Sequence, residues 1–233
     1  MPNGKSKQRT YKKTTKSRAR NYRKRKAVIR IPLGIPKTKV VRLRYCDNFV
    51  INPAVGFVAT HTISANSLHD PNTTGTGHQP LYYDTYASMY DHYVVLGAKI
   101  SVHASSAGGT AYAPAIFGCL LEDDNSTLTG KTTMNLMEQK LTKYRFVQVG
   151  PNYQSPAARS ITQTFSAKKF FGVGDVADNA RLAASVGSSP ADQAYFRIWL
   201  GAQNTVQDIP ATNFVVTVEY IVKFTELKEQ AES

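Results

Sequence analysis

The residues best suited to chemistry in this chain are the cations of its first 46 positions. That stretch contains 17 Lys and Arg residues and no Asp or Glu, and the first acid is Asp47. The remaining residues, 12 basic and 16 acidic, sum to −4. A surface adapted only for solubility mixes both signs, whereas an acid-free basic block is typical of segments that bind polyanions. The chemistry it predicts is binding of phosphates, with affinity supplied by counterion release.

The sequence divides into a basic arm and a folded domain. Residues 1–36 form the arm, whose last six residues are a proline-stiffened hinge, and residues 37–233 form the domain. The arm has too few apolar residues to offset the entropy of ordering it, so we expect it to be disordered when free. Its predicted nucleic-acid-binding residues are Lys5, Lys7, Arg9, Tyr11, Lys12, Lys13, Lys16, Arg18, Arg20, Tyr22, Arg23, Lys24, Arg25, Lys26 and Arg30.

The densest cluster of the arm is Arg23-Lys24-Arg25-Lys26. Four consecutive cations indicate a nuclear localisation signal or a nucleic-acid patch. Tyr11 and Tyr22 lie between the cations and could stack on unpaired bases, at ~1–3 kcal/mol per base, or could be incidental. A solvated run of charge is the structural alternative, but such runs usually include acids.

Motifs for catalysis, dinucleotide binding or metal ligation find no support in this sequence. Gly172-x-Gly174-x-x-Ala177 matches a loose dinucleotide fingerprint, but it stands in a loop without a βαβ unit. Glu122-Asp123-Asp124 could bind a divalent cation, although a solvated acidic loop is the more common explanation. The histidines and cysteines do not have zinc-site spacing. We therefore expect no enzymatic activity, no cofactor and no metal site.

Hydropathy predicts no membrane partner. No apolar run reaches the roughly 18 residues of a membrane span, and no signal peptide is visible. These features favour a protein made and used in the cytosol or nucleus, where Cys46 and Cys119 would stay unpaired.

The domain alternates apolar and polar residues in short runs, which predicts about eight strands and at most two short helices. In the third strand, Leu96 is expected on the core face and Val95 opposite it. Antiparallel strands without long helices predict an all-β fold, a single eight-stranded jelly roll of two packed sheets. The predicted strands lie near 38–51, 55–65, 94–102, 111–121, 143–149, 160–167, 196–202 and 214–224, with a helix over 82–91.

One segment is distinctive, Gly77-His78-Gln79-Pro80-Leu81-Tyr82-Tyr83-Asp84, which continues through Tyr90 and Tyr93 to Lys99-Ile100. It resembles a segment of the capsid proteins of circoviruses and other small circular single-stranded DNA viruses. Lys168-Lys169-Phe170-Phe171-Gly172 looks like a second segment of that family. The resemblance implies a jelly roll, an icosahedral shell of 60 copies, and packaging of a circular single-stranded DNA genome. It also implies nuclear import by a host receptor, and hence a place in the virion and in the host nucleus and cytoplasm.

The basic arm alone is compatible with other functions. Shells of small RNA satellite viruses also carry basic arms on jelly rolls, and a cellular nucleic-acid-binding protein can carry a basic tail. The 77–100 segment favours the DNA virus. In a shell of 60 copies, 17 charges per chain would offset on the order of a thousand phosphates.

A second basic patch is predicted on the domain. Arg42 and Arg44 share one face of the first strand, and a jelly roll places that strand in one sheet with the strands that carry Lys99 and Lys223. We expect these four side chains to bind nucleic acid together. Isolated solvated charges are the alternative.

A subunit interface is predicted at Tyr195, Arg197 and Trp199, which lie opposite the core face of their strand. Tyr, Trp and Arg are the types enriched in interface hot spots. We therefore expect a neighbouring subunit to bury them, and Trp199→Ala to reduce assembly more than monomer folding.

Overall fold

The computed structural model describes residues 34–107, 113–126, 128, 130–149, 159–204 and 206–229. Within these residues the chain forms nine strands and three short helices. The strands are β1 (Lys39–Ile51), β2 (Val58–Ser64), β3 (Tyr90–Ala107), β4 (Ala113–Glu122), β5 (Thr142–Val149), β6 (Ser160–Ser166), β7 (Ala183–Ser185), β8 (Tyr195–Ala202) and β9 (Thr212–Leu227), and the helices are α1 (Tyr83–Ala87), α2 (Thr133–Met137) and α3 (Ala167–Phe170).

The strands form two antiparallel sheets. The first sheet has the order β1-β9-β3-β6, with the short β7 also paired to β3, and the second has the order β2-β8-β4-β5. In both sheets a strand from the end of the chain lies between strands from its beginning. This interleaving is the double Greek key of a jelly roll, so the predicted all-β fold is confirmed.

One hydrophobic core fills the space between the two sheets, because each strand sends alternate side chains inward. β9 shows this most clearly, since every second residue is 0% exposed and its neighbours are partly or fully exposed. These inward residues are Phe214, Val216, Val218, Tyr220, Val222 and Phe224. β1 and β3 pair with β9 on its two sides, so the outward residues of all three strands lie in register on one surface.

A bulge in β3 changes which of its residues face the core. The pairing of β3 with β9 shifts between Val95 and Gly97, so Leu96 has no partner opposite it. A single extra residue reverses the inward and outward positions of a strand. Val95 is therefore buried at 1% exposure while Leu96 is only partly buried, and the predicted placement of these two residues was wrong.

The predicted helix over 82–91 is shorter in the structure, where α1 ends at Ala87. Tyr90 and Tyr93 belong to β3 instead, and both rings contact Phe224 of the neighbouring β9. Strand pairing and core burial here outweigh the helical spacing of the tyrosines. None of the described helices is long and apolar enough to cross a membrane.

The outer face of the second sheet is covered by the chain itself. The connection from β4 to β5 packs on it and encloses a small second core around Trp199, which is 0% exposed. Gly118 of β4 makes room for this ring, because a Cβ at that position would lie 2.4 Å from it. Helix α2 begins with a capping box of Thr132 and Asn135, and the Thr133 hydroxyl donates to the Ala202 carbonyl at 3.0 Å.

Candidate nucleic-acid interface

The arm residues predicted to bind nucleic acid, Lys5 to Arg30, lie outside the described residues, as do the cluster at 23–26 and the two tyrosines. The 17 cations of the first 46 positions are divided between the arm and the domain. Four of the 17 cations (Lys37, Lys39, Arg42 and Arg44) fall in the described part, three of them in β1. The arm of residues 1–36 thus carries 13 cations, while residues 37–233 hold 16 basic and 16 acidic residues. All of the net charge of +13 precedes residue 37.

The four cations predicted to form a patch on the domain lie on the outer face of the first sheet. Arg42 of β1 stands opposite Ile221 of β9, which stands opposite Gly97 of β3. One row along, Arg44 stands opposite Glu219, which stands opposite Lys99. Arg42, Arg44 and Lys99 are exposed, and their strands' inward residues fill the core.

Glu219 lies among these cations and was not part of the sequence-based prediction. The Arg44 guanidinium donates to its Oε1 at 2.7 Å. This hydrogen bond, reinforced by the charges of Arg44, Arg42 and Lys99, holds the pKa of Glu219 below its ordinary value. Arg44 is therefore compensated by a carboxylate. Within the described part of the chain, Arg42 and Lys99 have no ion-pair partner.

Lys223 lies on the same face but farther along β9. Its row contains Val40 and Val94, and it is four residues from Glu219. At roughly 3.3 Å per residue this is about 13 Å along the strand from Glu219, and about 7 Å from Ile221, which stands in the row of Arg42. The structure thus brings Arg42, Arg44 and Lys99 together around Glu219, and places Lys223 at the margin of the patch.

The distinctive segment at 77–84 is the end of the connection from β2 to α1, and it contacts β1. The ring nitrogens of His78 lie 2.7 Å from the Gln79 carbonyl oxygen and 2.9 Å from the Cys46 carbonyl oxygen of β1. Tyr82, at the N-cap of α1, has a left-handed backbone with φ of 69°. These contacts give His78 a structural role at the beginning of the helix.

The predicted interface at Tyr195, Arg197 and Trp199 is wrong. All three side chains are buried within the subunit, at 9%, 2% and 0% exposure. Arg197 donates to Glu122 at 2.6 Å and also to the carbonyl oxygen of Ser126. The sequence pattern correctly placed them opposite the core face, but it could not show that the β4–β5 connection folds back over that face.

The same contacts account for the acidic run at 122–124, which was a weaker metal candidate. Glu122 pairs with the Arg197 guanidinium. Asp124 accepts hydrogen bonds from the Ser126 hydroxyl at 2.6 Å and backbone amide at 2.7 Å, which lower the pKa of its carboxyl. Among the described residues no cluster of His, Cys, Asp and Glu could hold a metal ion.

Sequence reasoning missed one exposed apolar group. Tyr144 and Phe146 of β5 are 40% and 58% exposed, with ring centroids 6.0 Å apart. β5 is the last strand of the second sheet, and Leu141 just before it is also exposed. Alternating aromatic residues in a sequence normally indicate the core-facing side of a strand. The exposure of Tyr144 and Phe146 follows from the position of β5 at the sheet edge, which the sequence does not reveal.

Comparison with known proteins gives similarity of structure only. No family model matches the chain, and no curated protein matches it. The capsid protein of beak and feather disease virus, a circovirus, in its decameric form is 14% identical over 81% of this chain and 99% of its own, with a TM-score of 0.45. Its 60-mer form is 13% identical over 86% and 100%, with a TM-score of 0.44. A structure of Desmodium yellow mottle tymovirus is 16% identical over 90% and 99%, with a TM-score of 0.41.

A circovirus capsid protein is thus among the structural neighbours, as the resemblance at residues 77–100 predicted. Likeness at these scores establishes no function. The fold follows from the strand order of the chain itself, and the function has to be argued from its charges and surfaces.

Proposed function

We propose that the chain is a viral capsid subunit that assembles into a 60-copy icosahedral shell and packages circular single-stranded DNA. Residues 1–36 bind the genome and residues 37–233 build the shell. The cluster at 23–26 recruits a host import receptor, which brings the subunit to the nucleus.

The observation that carries this proposal is the separation of charge from fold. All net positive charge lies in the 36 residues before a formally neutral jelly roll. A monomeric enzyme or transport protein has no use for 13 uncompensated cations on one segment, whereas a nucleic-acid container needs them on one side of its wall. The 13 charges of 60 such arms amount to 780, which offsets on the order of a thousand phosphates once the patch on the domain is added.

Binding by this arm would not depend on sequence. Contacts between Lys or Arg and phosphate supply affinity through counterion release, and base edges are not needed. Coil-like chains of about 30 residues in general span roughly 30 Å, and like charges extend such chains further. An arm with that reach can contact many phosphates of one packaged strand.

Electron microscopy of the purified full-length chain tests the proposal. We expect uniform shells of about 60 copies whose nucleic acid resists nuclease until the shell is opened. After opening, DNase should degrade it and RNase should not. Shells whose contents are degraded by RNase would indicate an RNA virus instead. A chain that stays monomeric with and without single-stranded DNA at every salt concentration would indicate a cellular nucleic-acid-binding protein.

A further inference from the structure

The outer face of the first sheet contains a depression of about 250 Å³ at the bulge of β3. Gly97 has no side chain to fill this position, and a Cβ there would lie 3.0 Å from the Phe165 carbonyl oxygen of β6. Its floor is therefore backbone and the small Ala98, while longer side chains of the neighbouring rows form its rim. The bulge and the glycine together create a concave site on an otherwise flat sheet.

The rim combines an apolar side chain with two cations that have no ion-pair partner among the residues that the structure describes. Arg42 and Lys99 line the depression from β1 and β3, on the two sides of β9. Neighbouring strands are about 4.8 Å apart, and the two residues stand two positions apart along β9, so they start about 12 Å apart and their long side chains can converge on one occupant. Between them Ile221, an outward residue of β9, is 43% exposed.

The carboxylate on the rim, that of Glu219, is paired with Arg44. Glu219 lines the depression and accepts its hydrogen bond from Arg44, while the charges of Arg42 and Lys99 also act on it. One acid among these three cations leaves a net charge of +2 on the group. The site therefore offers two positive charges beside an apolar contact. Phosphate beside a sugar or base has that pattern, and a carbohydrate or an apolar peptide does not.

The chain also enters the domain close to this site. Arg42 lies three residues after the first residue of β1 and six after Pro36, the last residue of the arm. Six extended residues span at most about 20 Å. Single-stranded DNA bound by the arm next to Pro36 can therefore reach the depression.

The geometry points to a nucleotide-binding site formed by Arg42, Lys99 and Ile221, which holds one nucleotide of the packaged single strand. The two cations bind its phosphate and Ile221 contacts its sugar or base. This inference rests on the proposed function, because it assumes a single strand brought to this face by the arm. It assigns the binding to Arg42 and Lys99, gives Arg44 the role of neutralising Glu219, and leaves Lys223 outside the site.

Protection of lysines from acetylation locates the site on the full-length chain. The chain is stripped of nucleic acid and treated with acetic anhydride, with and without an oligodeoxythymidylate of 20 residues, at one salt concentration and one assembly state. Mass spectrometry should show Lys99 protected at least several-fold by the oligonucleotide, while Lys131 on the β4–β5 connection stays reactive. Inorganic phosphate at equal charge should not protect Lys99.

Salt dependence of binding supplies the second measurement. For single strands each phosphate contact contributes about 0.7 to the magnitude of the slope of log K against log salt. The site binds one phosphate through both cations, so Arg42→Ala/Lys99→Ala should lower that magnitude by about 0.7. The matched variant Lys131→Ala/Lys140→Ala removes the same charge from exposed positions elsewhere and should leave the slope unchanged. Glu219→Gln should strengthen binding by releasing Arg44.

The outcomes separate this inference from the proposed function. If the chain binds the oligonucleotide but Lys99 stays reactive, or if Arg42→Ala/Lys99→Ala lowers the slope no more than Lys131→Ala/Lys140→Ala does, the site is refuted and binding comes from the arm and from non-specific surface charge. If inorganic phosphate protects Lys99 equally well, the depression is an anion site without a nucleotide contact, and the assignment of Ile221 is wrong. If the full chain binds no oligonucleotide, the proposed function itself fails.

Discussion

At the scale of single residues, Trp199 shows how the structure reverses an expectation from sequence. Its ring is fully buried between β8 and the β4–β5 connection, together with Ile116 and Leu120. Trp199 therefore contributes to the folding of the chain.

We predict that Trp199→Ala destabilises the unassembled chain by about 3–5 kcal/mol, the range for removing a buried large aromatic side chain. Urea unfolding followed by circular dichroism measures this. Gly118→Ala should lower the free energy of unfolding by roughly 1–3 kcal/mol, because the added methyl group overpacks against the same ring. The loss should be smaller in a chain that also carries Trp199→Phe. An unchanged unfolding midpoint for Trp199→Ala, with assembly lost, would restore the interface that the sequence predicted.

His61 gives the fold a dependence on pH. Its ring stacks on Phe49 with centroids 3.7 Å apart, and burial lowers its pKa from 6.5, with a smaller opposing effect from the charge of Asp47. Because the folded pKa is depressed, the unfolded chain binds a proton first as the pH falls below 6.5. This contribution to stability is complete above that pH and is lost below it.

We predict that the free energy of unfolding falls between pH 6.5 and pH 5, with a share from His61 of at most about 1.4 kcal/mol per pH unit. His61→Phe keeps the stacked ring and should remove that share. His103→Gln, at an exposed position of β3, should keep the wild-type slope. Equal slopes for His61→Phe and wild type would show that another group governs the dependence.

At the scale of elements, the edge strand β5 has an exposed apolar surface that is suited to contact another copy. Tyr144 and Phe146 form an exposed aromatic pair at the end of the second sheet. Exposed apolar clusters of this kind mark interaction sites, and sheet edges can pair with further chains.

We therefore predict that Phe146→Lys reduces the yield of shells at least tenfold while the chain stays folded. Surface substitutions usually change stability by no more than about 0.5 kcal/mol, so the loss should be specific to assembly. Val50→Lys is a matched control, because Val50 of β1 is also 58% exposed. Sedimentation of the particles gives the yield. A yield for Phe146→Lys equal to that of the wild-type chain would exclude β5 from the interface.

Local patterns determined much of this architecture and failed where distant segments decide the outcome. The alternation of β9 correctly predicted a core-facing strand, and the position of Arg42 and Arg44 on β1 correctly predicted their shared face. The bulge at Leu96 could not be predicted, because it depends on pairing with residues more than 100 positions away. Neither could the burial of Arg197, because its partner Glu122 is 75 positions away.

At the scale of the whole molecule, the proposed function assigns two tasks to two parts of the chain. Residues 37–233 contain equal numbers of acids and bases, and the arm of residues 1–36 contains the excess charge. A separation of this kind means that either part can be changed while the other keeps its role. It also means that nucleic-acid content should follow the charge of the arm, and that shell geometry should follow the domain.

The most direct test is the nucleic-acid content of shells formed by a chain that lacks residues 1–36. We predict that this chain still assembles, and that the ratio of absorbance at 260 nm to that at 280 nm falls to the value of protein alone. A full-length variant with Ala in place of the 13 arm cations should behave in the same way. Truncated shells that retain as much DNA as full-length shells would contradict the account, because packaging would then depend on the domain and not on the arm.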